Sequence, residues 1–168
     1  MTISLYSASV PIYQTNLKNL KGVLAKGAAF AAAKKIDESV MLGLRLAPDM
    51  LAMSRQVQIA CDFAKGSIAR LAGIDVPKWE DTEKSFADLA VRIDRTIAYI
   101  GEFKPEQIDG QEERDITIPV GGTPISFKGQ HYLLLVAMPN FYFHMTTAYA
   151  LLRHNGVDVG KGDFLGRK

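Results

Sequence analysis

Hydrophobic residues recur at helical spacing along four stretches of the chain. In the first, Leu17, Leu20 and Leu24 fall three and four residues apart, which predicts a helix over about residues 5–26. Pro11 stands near its start, where a lost N–H costs little or kinks the first turn. The alanine-rich GAAFAAAKK that follows suits a short helix of its own, with Gly27 as the break from the first. The strongest pattern is LAPDMLAMSRQVQIACDFAKGSIARLAG. There Met50, Met53, Val57, Ala60, Ala64, Ile68 and Leu71 trace one stripe. Pro48 and Asp49 favour a helix start and Gly73 a stop. Asp49 and Gln56, two turns apart, then lie near one face.

A third helix is expected from near Thr82 to about Phe103, carried by Phe86, Leu89, Val91, Ile93, Ile97 and Ile100. Between it and the second lies IDVPKWED, a loop long enough to cross one end of the helices. The period then changes. Ile116 and Ile118 alternate with Thr117, Gly121 and Gly122 turn the chain, and Ile125 and Phe127 alternate with Ser126. This predicts a small β-hairpin, and its prolines confine it to an edge or to solvent. The last helix is expected over about residues 129–155, kinked before Pro139. Four long helices with short connections bury all four stripes together when packed antiparallel. The expected fold is therefore all-α, a four-helix bundle with a small β-hairpin before the last helix, forming one domain over residues 1–168.

Composition narrows the function classes. The 168 residues carry a net charge of only +2, and no basic cluster is interleaved with aromatics, so nucleic acid is not an expected partner. No apolar run approaches the roughly 20 residues of a membrane span, and the first residues lack the pattern of a signal peptide. The lone Cys61 forms no internal disulfide and fits a cytoplasmic protein.

The candidate chemistry is in NFYFHMTTAYALLRHNGVDVGKGDFLG. Asn140 and His144 are one turn apart and share a face. His154 sits about 80° off that face and just before Gly156, as a residue that complements the helix end. His131 is some 20 Å from His144 along the helix axis and cannot share an ion with it. Groups from other helices would have to complete any site, and Gln56 and Asp49 are the candidates. His144 reads as a histidine hydrogen-bonded to Gln56, as a metal ligand or as a base. Phe141, Tyr142 and Phe143 fit core packing. Cys61 has no basic neighbour and fits an inert core thiol. The glycine-rich end, with Phe164 and Leu165, is expected to dock on the helices.

LAPDMLAMSRQVQIACDFAKGSIARLAG and NFYFHMTTAYALLRHNGVDVGKGDFLG resemble an uncharacterised domain-of-unknown-function family of the DinB/YfiT-like superfamily. The resemblance runs along nearly the whole chain. It implies an up-down-down-up bundle, often a homodimer. It also implies a zinc or nickel site on three histidines, one on helix two and a pair one turn apart on the last helix. Relatives include thiol-dependent transferases and hydrolases. His144 matches the second histidine of that pair, Asn140 stands in place of the first, and Gln56 lies near the helix-two position. Two amides and one imidazole make a weak zinc set. The expected metal, if any, is Zn or Ni on His144, and no cofactor is the leading expectation. Three functions follow: a bundle with a degenerate metal site that binds a small ligand or partner in the Gln56, Asn140, His144 and Asp49 pocket; a divergent metal-dependent hydrolase or transferase using His144; or a dimeric structural or stress-response protein.

Overall fold

The computed structural model describes residues 3–167, which are mostly helical with one two-stranded antiparallel hairpin. Helix α1 covers Val10–Lys34 without interruption, and Pro11 stands in its first turn. Its buried face is Tyr13, Leu17, Leu20, Leu24, Gly27 and Ala31, spaced four, three, four, three and four. Gly27 thus continues the stripe instead of breaking the helix. A methyl there would sit 3.0 Å from the Phe86 ring and 3.2 Å from Leu152, so the absent side chain lets two helices approach. Alanine propensity carries the helix on to Lys34, and the left-handed Lys35 ends it.

The short α2, Glu38–Leu42, follows; Asp37 caps it by accepting from Ser39 N–H at 2.8 Å. Helix α3 is Met53–Leu71. Its start is five residues beyond Pro48, because Pro48 and Asp49 are used as turn residues. The Met53 N–H donates to Leu44 O at 2.9 Å, and the Arg45 guanidinium donates to Met50 O, folding residues 44–52 back on themselves. Helix α4, Phe86–Gly101, starts four residues beyond Thr82, where the sequence predicts its beginning. Ser85 is the cap: its Oγ accepts from Asp88 N–H at 3.0 Å while Asp88 accepts from Lys84 N–H at 2.9 Å.

The connection between α3 and α4 has no regular structure, and the buried Arg92 on α4 fastens it. Its guanidinium donates to Glu80 O at 3.1 Å and Glu83 at 2.9 Å, and meets Asp81 at 3.0 Å and Asp62 of α3 at 3.1 Å. After α5, Pro105–Ile108, the hairpin pairs β1, Asp115–Val120, with β2, Thr123–Lys128. Gly121 and Gly122 both take positive φ, as a two-residue hairpin turn requires. Pro119 faces Pro124, so neither interrupts a shared ladder bond with a third strand.

The last helix begins with α6, Gly129–His131, widens into a π-helical segment, Tyr132–Ala137, and continues as α7, Met138–His154. The predicted kink before Pro139 takes the form of this wide turn, because proline supplies no N–H to the preceding turn. Tyr13 of α1 and Phe141 of α7 meet edge to face at 4.8 Å in the core. The glycine-rich end docks as predicted, though it also forms a short helix, α8, Lys161–Phe164. Asn19 donates to Phe164 O at 3.3 Å, Lys26 pairs with Asp163 at 2.7 Å, and Tyr149 meets Phe164 edge to face. Leu165 stays exposed, so Phe164 alone carries the apolar contact.

Candidate functional site

Gln56 and His144 face each other because α3 and α7 pack side by side. Burial on both helices brings Val57, Ala60 and Ala64 of α3 inside together with Phe141, Met145 and Ala148 of α7. Gln56 is buried one turn into α3, and its Nε2 donates to Leu51 O at 3.0 Å. That bond fixes which end of the amide is nitrogen, so Oε1 points the other way. Oε1 lies 2.7 Å from His144 Nδ1. A carbonyl oxygen only accepts, hence Nδ1 carries the proton and Nε2 keeps its lone pair.

Two phenylalanines frame the ring. Phe63 stacks on it at 6.1 Å between centroids and Phe143 meets it edge-on at 5.2 Å. Burial among these groups pushes the His144 pKa down, and the positive charge of Arg55 pushes it the same way. At neutral pH the ring is an uncharged imidazole with one free acceptor nitrogen.

The other predicted members are placed differently. Asn140 is on the expected face, but its Nδ2 donates to Val136 O at 2.7 Å, at the junction of the π-helical and α-helical turns. It makes no hydrogen bond with Gln56 or His144 among the described residues. Asp49 lies outside α3, in the exposed turn before it, so the two-turn spacing from Gln56 does not apply. His154 is exposed in the last turn of α7, and His131 packs on Phe127 near the start of the last helix. Cys61 is fully buried, and burial pushes its thiol up to about 12, which suits an inert thiol.

Sequence reasoning missed Arg55 and Phe63. Phe63 is seven residues beyond Gln56, the same spacing that drew attention to Asp49 on the other side. Arg55 was hidden as a routine surface charge; it pairs with Asp81 and donates to Gln58 at 2.8 Å.

A divalent ion does not fit this donor set. Among the described residues, no group of three or more His, Cys, Asp or Glu side chains is placed to hold one. His144 offers a single nitrogen, Asn140 and Gln56 offer only neutral amide oxygens, that of Gln56 already accepting from His144, and the positive charge of Arg55 acts on the same imidazole. Beside the histidine, however, a groove of about 390 Å³ opens on the surface. Leu46, Pro139, Tyr142, Phe143, Thr146, Thr147 and Ala150 line it. Phe143 is 55% exposed and Leu46 48%.

The lowered His144 pKa has a consequence for stability. The unfolded imidazole titrates near 6.5 and the folded one below that. Between the two values the unfolded chain binds more protons, so stability falls as pH drops through this window and is unaffected above it. Urea midpoints measured at pH 5.5 and 7.5 should therefore differ more for the natural chain than for His144→Gln. Equal differences would show that His144 does not couple folding to pH.

The comparisons agree with this architecture. A model of the family "Domain of unknown function (DUF1993)" matches residues 5–165. The solved structure of a DinB family member protein from Shewanella denitrificans is 42% identical, covering 98% of this chain and 93% of that one, with a TM-score of 0.89. No curated protein matches the chain.

Proposed function

The chain belongs to the DUF1993 family of uncharacterised DinB-like proteins, and we propose that it is a binding protein and not a metal-dependent catalyst. The observation that carries this reading is that, among the described residues, no second metal-ligating side chain stands with His144 where the superfamily's metal is expected: the facing residue, Gln56, is a neutral amide whose oxygen accepts from the His144 ring. The imidazole is tied to an amide, and the second donor of the last helix is turned to its own backbone. What remains open at this end of α7 is apolar. The ligand we assign to the groove beside Phe143 is a small apolar molecule, with the exposed Thr146 as its polar edge. We read α1, α3, α4 and the last helix as the four staves of the DinB/YfiT-like bundle, and a reducing cytoplasm as the setting for the single buried thiol. Neither nucleic acid nor a membrane belongs to this reading; no helix among the described residues is long and apolar enough to cross one.

A second reading rests on the length of the apolar face. Leu135, Pro139 and Phe143 follow one another at single-turn spacing, and Leu135 is 64% exposed. That row is longer than a small ligand needs and suits a second copy of the chain, giving a homodimer across α7.

Metal analysis of protein purified without a histidine tag should find far less than one zinc or nickel per chain. The apolar dye 1-anilinonaphthalene-8-sulfonate should bind saturably, and Phe143→Asp should abolish that binding. Near-stoichiometric metal that disappears in His144→Ala would overturn the binding reading and restore the enzyme. Light scattering at micromolar concentration decides between the two occupants: a dimer that Leu135→Glu dissociates favours the second copy.

A further inference from the structure

A second cavity, of about 490 Å³, lies between α3 and the connection that follows it, away from the His144 site. Asp62, Lys65, Arg70, Val76, Pro77, Lys78 and Trp79 line it. Three cations and one carboxylate share these walls. Lys65 is only 3% exposed. Its ammonium has Asp62 at 3.0 Å and the Trp79 ring at 4.4 Å, which leaves donor capacity facing the cavity. Asp62 is itself divided between Lys65 and Arg92. Arg70 donates to the Tyr132 hydroxyl at 3.1 Å, and Lys78 is exposed. Neither has a carboxylate within ion-pair distance among the described residues. Of the connection's own carboxylates, Asp75 and Glu80 are exposed, Asp81 and Glu83 are paired with Arg92, and all four are outside the lining.

The helix is also shaped for this arrangement. Gly66 is buried in the middle of α3, where glycine costs about 1 kcal/mol against alanine. A methyl at Gly66 would lie 2.6 Å from Arg70 Nη1 and 3.7 Å from Val76. The glycine therefore lets the guanidinium fold across the helix toward the cavity. Trp79 is fixed from several sides: Arg95 sits 4.1 Å and Lys65 4.4 Å from its ring centroid, and Tyr99 meets it edge-on at 6.0 Å.

We propose that this cavity binds a small molecule through a doubly charged oxyanion group, a phosphate monoester or a dicarboxylate, held by Lys65, Arg70 and Lys78. The two unpaired cations supply the charge, and the Arg70 fork and the lysine ammonium protons supply the hydrogen bonds. The remaining volume, walled by Val76, Pro77 and Trp79, takes a compact organic body.

Trp79 is the chain's one tryptophan, so its fluorescence reports on the cavity directly. The intact protein is titrated with inorganic phosphate and, separately, with succinate, at ionic strength held constant with sodium chloride. A saturable change with phosphate assigns a phosphate ester, and one with succinate a dicarboxylate. Lys78→Gln, at an exposed position, should weaken that binding about tenfold without touching the fold. Gly66→Ala should leave the thermal midpoint unchanged or higher yet weaken binding severalfold by displacing Arg70. Responses no larger than chloride produces, or binding indifferent to both substitutions, would overturn the proposal.

Discussion

Replacing Arg92 with methionine should lower the stability of this protein by about 3 kcal/mol, the low end for breaking a buried ion pair by removing one partner. The Arg92 side chain is 3% exposed and stands against three carboxylates. Glu83 is 11% exposed, so its charge would keep only the Gln58 amide, which donates to it at 2.7 Å, and little water. Asp62 and Asp81 are more than a third exposed and would be solvated in the variant, which keeps the loss below the upper end. Burial works against the charge on Arg92, but Glu83 and Asp62 outweigh it and hold its pKa above the ordinary value. The loss corresponds to a thermal midpoint about 6–12 °C lower at this chain length. Adding Glu83→Gln to the variant should return part of it, since the stranded charge is then removed. A loss under about 1 kcal/mol would show that the network is dispensable. Hydrogen exchange in residues 76–84 should also accelerate well before global unfolding. That segment has no strand or helix of its own, and Arg92 holds it at Glu80, Asp81 and Glu83.

This network shows where sequence reading reached its limit. The stripes on α3 and α4, the hairpin with its Gly121–Gly122 turn, and the kink ahead of Pro139 follow from period and turn chemistry, which are local; Met50 and Val91 are the exceptions, Met50 lying in the turn before α3 and Val91 being 67% exposed on α4. The α1 stripe was legible too, but Gly27 was misjudged, because its reason is contact with Phe86 and Leu152 from distant parts of the chain. Pro48 and Asp49 are start signals and turn signals alike, and only the Met53–Leu44 bond decides between them. The pairing of Gln56 with His144 was legible because both lie on well-predicted helices. The fate of Asn140 was not, since its amide answers a carbonyl at a π-helical junction that no spacing announces. Arg92, a charge on an apolar helix, reads as an ordinary surface residue until the connection it holds is folded over it.

Installing a second imidazole should turn the closed pair into a zinc site, and Asn140→His is the substitution that does so. Position 140 is one turn before His144 on the same helix, the spacing at which two rings reach one ion. His144 is already arranged as a ligand is: its Nδ1 proton is held by Gln56 Oε1, which leaves Nε2 as the donor. What the natural chain lacks is a second nitrogen in place of an amide that serves Val136 O. Losing that bond should cost about 1 kcal/mol in the absence of metal. At zinc a hundredfold above the dissociation constant, binding should return about 2.7 kcal/mol, so the variant gains stability only when the ion is present. Arg55 opposes the ion, and Arg55→Gln added to the variant should tighten zinc further. Thermal midpoints with and without zinc, read beside the metal content, give the answer. If the variant stays indifferent to zinc while its fold is intact, the missing donor is not what keeps this site free of metal. If the natural chain already gains as much from zinc, His144 has partners that the Gln56 bond does not exclude.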